Sequence, residues 1–106
     1  MAEFIADEAE FNTRLAEANI LVVYCTAPWC GPCKLVTPSI DRLSAEYGDR
    51  AQIFKLDIEV NRPFAKQLGL RNIPVVLYFK AGEKVQAVLG VKDYAEYNLA
   101  LTNLLE

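Results

Sequence analysis

The chain has 106 residues, of which 53% are hydrophobic and 24% charged, a composition typical of one soluble globular domain covering residues 1–106. Eleven basic and fourteen acidic side chains give a net charge of −3 at pH 7, so we expect no nucleic-acid or membrane partner. The chain contains no histidine, which excludes Ser-His-Asp triads, Cys-His nucleophile pairs and histidine-ligated metal sites.

The predicted elements begin with a short strand that ends at Phe4-Ile5. Asp7 followed three residues later by Glu10 forms a capping box, which predicts the start of a first helix. The run from Ile20 to Thr26 is rich in β-branched and aromatic residues and is typical of a strand buried on both faces. A proline in residues 27–29 then predicts a loop.

A longer helix is predicted from Cys30 to Tyr47, because its apolar residues recur at helical spacing. These residues are Val36, Ile40, Leu43 and Tyr47. Pro38 is expected to kink this helix, and Gly48 to end it.

Another strand is predicted over residues 51–57, followed by a short helix that Asn61 caps and Gly69 ends. Residues 75–80 and 84–89 read as a hairpin, and an amphipathic helix closes the chain. The order βαβαβαββα predicts an α/β fold with three layers, in which helices cover both faces of a central mixed five-stranded sheet.

Three cysteines are too few, and odd in number, for a secreted disulfide framework. Cys25 lies in the apolar run and is expected to be a buried, inert small side chain. Cys30 and Cys33 form a C-x-x-C pair, which we interpret as a redox pair that needs no metal and no bound cofactor. The alternative is a metal or cluster shared by two chains, each of which supplies one pair.

The predicted start of the second helix gives the Cys30 sulfur a chemical role. Unpaired backbone N–H groups and the positive end of the helix dipole favour a thiolate there, and a thiolate is the nucleophile in disulfide exchange. Cys33 lies on the same side of the first turn and is expected to be less exposed, so it is positioned to resolve a mixed disulfide. Gly31 and Pro32 keep the intervening segment small and stiff. The inert alternative is two packed thiols.

The segment Trp29-Cys30-Gly31-Pro32-Cys33-Lys34 resembles the active-site motif of the thioredoxin family, and the resemblance covers the whole chain. Further matching motifs are Pro38, Lys55-Leu56-Asp57, Ile73-Pro74, Phe79-Lys80-Ala81-Gly82-Glu83 and Gly90. The resemblance implies the thioredoxin fold and dithiol–disulfide oxidoreductase activity. It also implies disulfide-containing target proteins and a thioredoxin reductase, linked either to NADPH or to ferredoxin, as partners.

The resemblance further implies that the Ile73-Pro74 peptide bond is cis, although an ordinary trans turn would be favoured without it. A cis turn would direct the Ile73 carbonyl and the Val75 backbone toward a peptide docked beside the thiols. An apolar rim for extended substrates is then expected from Trp29, Gly31, Pro32, Ile73, Pro74, Val75, Gly90 and Val91.

Tyr24 departs from the family pattern, which usually has a buried aspartate six residues before the first active-site cysteine. A tyrosine is not ionised at pH 7, so it cannot take the proton of the resolving thiol, and resolution should be slow unless the hydroxyl or a water relays that proton. Without the aspartate, Lys55 should become an unbalanced cation that favours the thiolate and makes the pair more oxidising. The alternative is a tolerated core substitution with no kinetic effect.

Smaller departures surround the motif. Cys25 and Thr26 replace large aromatic residues and should thin the floor of the active-site loop, and Val75 replaces a threonine. A positively charged rim that steers acidic partners is expected from Lys34, Arg71 and Lys92, unless these are simply solvated surface side chains.

Residues 1–8 lack the basic segment and apolar stretch of a signal peptide, and no apolar run approaches the roughly 20 residues of a membrane span. We therefore expect the protein in the cytoplasm, or in an organelle lumen or stroma if a transit peptide has been removed. We also expect a monomer. Its expected function is reduction of protein disulfides. The alternatives are a disulfide isomerase or oxidant, and a binding module with incidental thiols.

Overall fold

The computed structural model describes residues 1–106, and its element order agrees with the predicted βαβαβαββα pattern. The elements are β1 (Glu3–Ile5), α1 (Glu8–Glu17), β2 (Ile20–Thr26), α2 (Cys33–Tyr47), β3 (Gln52–Asp57), α3 (Arg62–Gln67), β4 (Val75–Lys80), β5 (Glu83–Leu89) and α4 (Tyr94–Leu105). The five strands form one sheet in the order β1-β3-β2-β4-β5. β1 and β2 run parallel to β3, whereas β4 runs antiparallel to β2 and β5, so the predicted mixed α/β sheet is confirmed.

Two apolar cores cover the two faces of the sheet. The first packs α2 and α4 against the sheet and contains Tyr24, Cys30 and Cys33. The second packs α1 and α3 against the opposite face and contains Cys25 and Phe64. Because side chains alternate along a strand, neighbouring residues of β2 enter different cores, as expected for a strand buried on both faces.

The start of α2 differs from the prediction. Regular helix begins at Cys33 with Pro32 at the N-cap position, and Cys30 lies before it. The Cys33 N–H is directed at the Cys30 sulfur, and Gly31 and Pro32 form a turn, so the helical hydrogen-bond pattern starts three residues later than predicted. Pro38 lies inside α2.

The two predicted N-cap side chains, at the starts of α1 and α3, differ in whether they make a capping hydrogen bond. The Asp7 carboxylate accepts a hydrogen bond from the Glu10 N–H at 2.9 Å, as the capping box predicts. Asn61 occupies the N-cap position of α3, but its side-chain amide donates to the Asp57 carbonyl at 3.1 Å and makes no capping bond.

The register of β2 and β4 brings two loops together at one end of the sheet. Cys25, near the end of β2, pairs with Val75, the first residue of β4. The loop that carries Cys30 and Cys33 therefore lies beside the loop that carries Ile73 and Pro74. None of the four helices combines the length and the apolar character that a membrane-spanning helix requires.

Candidate active site

Cys30 and Cys33 form a disulfide, and their Cα atoms are 5.4 Å apart. Cys30 is 5% exposed and Cys33 is 2% exposed, so both residues are buried and Cys33 slightly more so. The Cys33 N–H donates to the Cys30 sulfur at 3.2 Å. Although Cys30 precedes α2, its sulfur therefore still accepts from the first N–H group of that helix, which favours negative charge on it.

Tyr24 lies directly beneath the second cysteine and is fully buried. Its hydroxyl donates to the Cys33 carbonyl at 2.7 Å and lies 3.1 Å from the Thr37 hydroxyl. The Thr37 hydroxyl also donates to the Cys33 carbonyl, at 3.1 Å. The Tyr24 hydroxyl thus holds the backbone carbonyl of Cys33.

The expectation that Lys55 is an unbalanced cation is wrong. Its ammonium group lies 3.1 Å from the Asp41 carboxylate of α2, and the lysine side chain is only 6% exposed. A buried ammonium group is costly unless it is paired, and here the neighbouring helix supplies the carboxylate that position 24 lacks. Only the absence of a carboxylate at Tyr24 remains as an argument for a more oxidising pair.

An opening of about 250 Å³ reaches the disulfide from the side. It is lined by Phe4, Thr26, Ala27, Pro28, Cys30, Cys33, Lys34, Thr37, Lys55 and Asp57. Thr26 lines this opening. Cys25 does not, because it points into the core on the opposite face of the sheet.

Cys25 is chemically isolated from the redox pair, and burial raises the pKa of its thiol to about 12. In the reduced, folded protein we expect iodoacetamide to label Cys30 and to leave Cys25 unmodified, because only thiolates react appreciably. Peptide mass spectrometry measures the labelling, and denatured protein, in which all three cysteines react, is the control. Labelling of Cys25 in the folded protein as fast as Cys30 would contradict the prediction.

The Ile73-Pro74 bond is cis, in agreement with what the family resemblance implies. Gly90 has a φ of +78° and its N–H donates to the Pro74 carbonyl at 2.9 Å, which places the residues before α4 beside this turn. Of the predicted rim, Trp29, Gly31, Pro32, Gly90 and Val91 are exposed, and Ile73 is half-buried.

Two predicted rim residues present little side-chain surface. Pro74 is buried, and Val75 is 3% exposed with its side chain in the second core. The three side chains of the predicted positive rim lie in three different places. Lys34 lines the opening beside the disulfide, Arg71 lines a separate groove along α3, and Lys92 is exposed near Gly90.

The Trp29 ring is 63% exposed and is held in place by Glu59, a contact the sequence did not reveal. The indole N–H donates to the Glu59 carboxylate at 2.9 Å, and Arg62 contacts the other oxygen at 2.7 Å. Both hydrogen bonds stabilise the ionised carboxylate and lower the pKa of Glu59, and the bond from the indole is the larger cause. Glu59 lies 30 residues after Trp29, so no local sequence pattern indicates this contact. Thr37 lies one helical turn after Cys33, so helical spacing could have predicted its contact with the Cys33 carbonyl.

The Glu59–Trp29 contact predicts an acid titration of the fluorescence of this single tryptophan. Because the folded-state pKa of Glu59 lies below its usual value, the contact should persist as pH falls to about 4.3 and be lost only at lower pH. Tryptophan emission recorded against pH measures this midpoint, and Glu59→Gln should abolish the transition. A midpoint at or above about 4.3 would contradict the prediction.

A dithiol pair at the end of a mixed sheet, with a cis-proline turn beside it, defines a thiol–disulfide oxidoreductase. Residues 3–102 match the family model described as Thioredoxin, and the chain belongs to the thioredoxin family. It is 37% identical over 84 residues to thioredoxin 1 of Synechococcus elongatus, covering 78% of each chain.

Two further relatives support this assignment. The chain is 40% identical over 88 residues to the chloroplastic thioredoxin M5 of Oryza sativa subsp. japonica, which covers 81% of this chain and 51% of the rice protein. The crystal structure of Malassezia sympodialis thioredoxin superposes with a TM-score of 0.88 at 28% identity, covering 97% of this chain and 90% of that one. The protein is therefore a protein-disulfide reductase that acts on disulfide-bearing targets and is itself served by a reductase.

Proposed function

We propose that Cys30 is the attacking cysteine and Cys33 the resolving cysteine of the disulfide reductase. The Cys30 thiolate attacks one sulfur of the target disulfide, forming a mixed disulfide and releasing the other target sulfur as a thiolate. The Cys33 thiolate then attacks the Cys30 sulfur, which closes the Cys30–Cys33 disulfide and releases the reduced target. Two electrons pass to the target, and a reductase restores them. The bond from the Cys33 N–H to the Cys30 sulfur carries this assignment.

Single-cysteine variants test these roles. With a disulfide-bonded target protein, Cys33→Ser should accumulate a stable mixed disulfide through Cys30, whereas Cys30→Ser should form none. Turnover should fall to the background rate in both variants. Non-reducing electrophoresis and mass spectrometry identify the adduct. Adduct formation by Cys30→Ser at the rate of Cys33→Ser would reverse the assignment.

We propose that the exposed surface beside the disulfide holds extended target segments. It comprises Trp29, Gly31, Pro32, Ile73, Gly90 and Val91, with the backbone at Pro74 and Val75 beside it. Support comes from the placement of the Ile73-Pro74 turn next to the active-site loop and from the exposure of an apolar ring and an apolar side chain there, at Trp29 and Val91.

We further propose that residues 1–106 act as one monomeric domain served by an NADPH- or ferredoxin-linked thioredoxin reductase. Its compartment is the cytoplasm or an organelle stroma, and the chloroplastic thioredoxins among its relatives support the stroma. Reduction assays with each type of reductase distinguish the two electron sources, and light scattering gives the oligomeric state.

A more oxidising role is the second candidate, and Tyr24 in place of an aspartate is the observation that favours it. The equilibrium of the Cys30–Cys33 pair against glutathione buffers distinguishes the two. A potential near −270 mV with efficient reductase coupling indicates a general reductant, and a potential tens of millivolts higher with weak coupling indicates an oxidant or isomerase.

A further inference from the structure

A groove of about 650 Å³ runs along α3, and Trp29 forms part of its wall. Its volume lies within the roughly 300–1,000 Å³ typical of ligand sites. Ile58, Ala65 and Leu70 supply apolar lining. Gly69 has a φ of +74°, and a Cβ built there would meet no atom within 4 Å, so this part of the groove is open to an incoming chain.

The groove carries an excess of positive charge in a protein of net charge −3. Arg62, Lys66 and Arg71 line it, and the only carboxylate is that of Glu59. Both Glu59 oxygens are already occupied, one by the Trp29 indole and the other by Arg62. Lys66 and Arg71 form no salt bridge and are exposed, so they remain available to a negatively charged partner.

We propose that this groove binds an acidic segment of a disulfide-bearing target protein. An apolar side chain of the segment packs on the lining residues, and its carboxylates pair with Lys66 and Arg71. Because Trp29 precedes Cys30 directly, a segment held in the groove brings a nearby target cysteine to the attacking sulfur. The groove thus adds charge selectivity to the apolar surface at Ile73 and Val91. This inference rests on the proposed role of Cys30 in target attack.

Binding can be measured without any redox chemistry. The oxidised protein is titrated with a short cysteine-free peptide of aspartate, glutamate and one leucine, and separately with the same peptide carrying asparagine and glutamine. Emission of the single tryptophan, Trp29, reports occupancy of the groove. We expect the acidic peptide to bind about tenfold more tightly, and the preference to fall as rising salt shortens the screening length from about 30 to 8 Å.

Matched charge reversals locate the contact. Lys66→Glu with Arg71→Glu should weaken binding of the acidic peptide about tenfold or more. Arg50→Glu with Lys84→Glu makes the same change in net charge and should leave affinity nearly unchanged. Arg50 lies just before β3 and Lys84 near the start of β5, both at the end of the sheet opposite the cysteines. The neutral pair Lys66→Gln with Arg71→Gln should give an intermediate loss and guards against misfolding of the reversed variant.

Equal affinity for the two peptides, or equal weakening by the two double reversals, would overturn the inference. The same two peptides, each with one added cysteine that joins it by a disulfide to a second short chain, then test delivery to Cys30. If neither disulfide is reduced while the acidic peptide still binds selectively, the role proposed for Cys30 fails and the groove assignment stands. If both are reduced equally and neither binds selectively, the groove assignment fails and the reductase mechanism stands.

Discussion

Replacing Tyr24 by aspartate is expected to lower the free energy of unfolding by about 3–5 kcal/mol at pH 7. The ring is fully buried, so its removal leaves a cavity. The new carboxylate would face the Cys33 carbonyl oxygen, and Lys55 is already paired with Asp41. Burial should raise the pKa of the introduced carboxyl above about 3.9, so the part of the loss that comes from the buried charge should grow as pH rises above that value and disappear in more acidic solution, whereas the cavity cost remains at every pH.

The same substitution is expected to accelerate resolution of a mixed disulfide by about 10²-fold, because a carboxylate beneath Cys33 can accept the thiol proton. Tyr24→Phe is the matched control, since it keeps the ring and removes only the hydroxyl. It should cost about 1–2 kcal/mol in stability and leave resolution nearly unchanged. Urea unfolding gives the stabilities, and single-turnover release of a small aromatic thiol from Cys30 gives the rates. Slower resolution in Tyr24→Phe would instead make the hydroxyl a proton relay.

Replacing Asp41 by asparagine is expected to destabilise the protein by about 2–4 kcal/mol, because it leaves the Lys55 ammonium buried without its counter-ion. Arg42→Gln is the control on the adjacent residue. It breaks the exposed Arg42–Glu46 pair and the stacking of Arg42 on the Tyr94 ring, and should lower the unfolding midpoint much less than Asp41→Asn does. Lys55→Met added to Asp41→Asn should recover much of the loss, since it removes the buried charge.

Asp41→Asn should also make the Cys30–Cys33 pair more oxidising. Lys55 lines the same opening as both cysteines, and an unpaired cation there stabilises the thiolate of the reduced dithiol. We expect the equilibrium with glutathione to shift about tenfold toward the reduced form, or about 30 mV. An unchanged potential would show that the Lys55 charge does not reach the sulfurs.

The sequence predicts the fold well where the signal is local. The alternation that buries Tyr24 and Cys25 on opposite faces follows from their positions in one strand, and the helices follow from apolar spacing and from caps such as Asp7. The helix α2 begins later than predicted, because propensity and spacing do not show that the Cys33 N–H donates to a sulfur. Asn61 is likewise a residue type that commonly caps helices, but in the structure its side chain donates to the Asp57 carbonyl instead.

By itself, the sequence determines the chemistry of this protein. The spacing of Cys30 and Cys33, their place after a buried strand and the absence of histidine together lead to a dithiol redox site. Only the tertiary structure decides the electrostatic surroundings of that site, namely that Lys55 pairs with Asp41 and that Glu59 holds Trp29. These partners come from separate elements. Lys55 meets Asp41 because of the rotation in which α2 packs against the sheet, and Trp29 meets Glu59 because of the register in which β2 and β3 pair. Periodicity along the chain specifies neither the rotation nor the register.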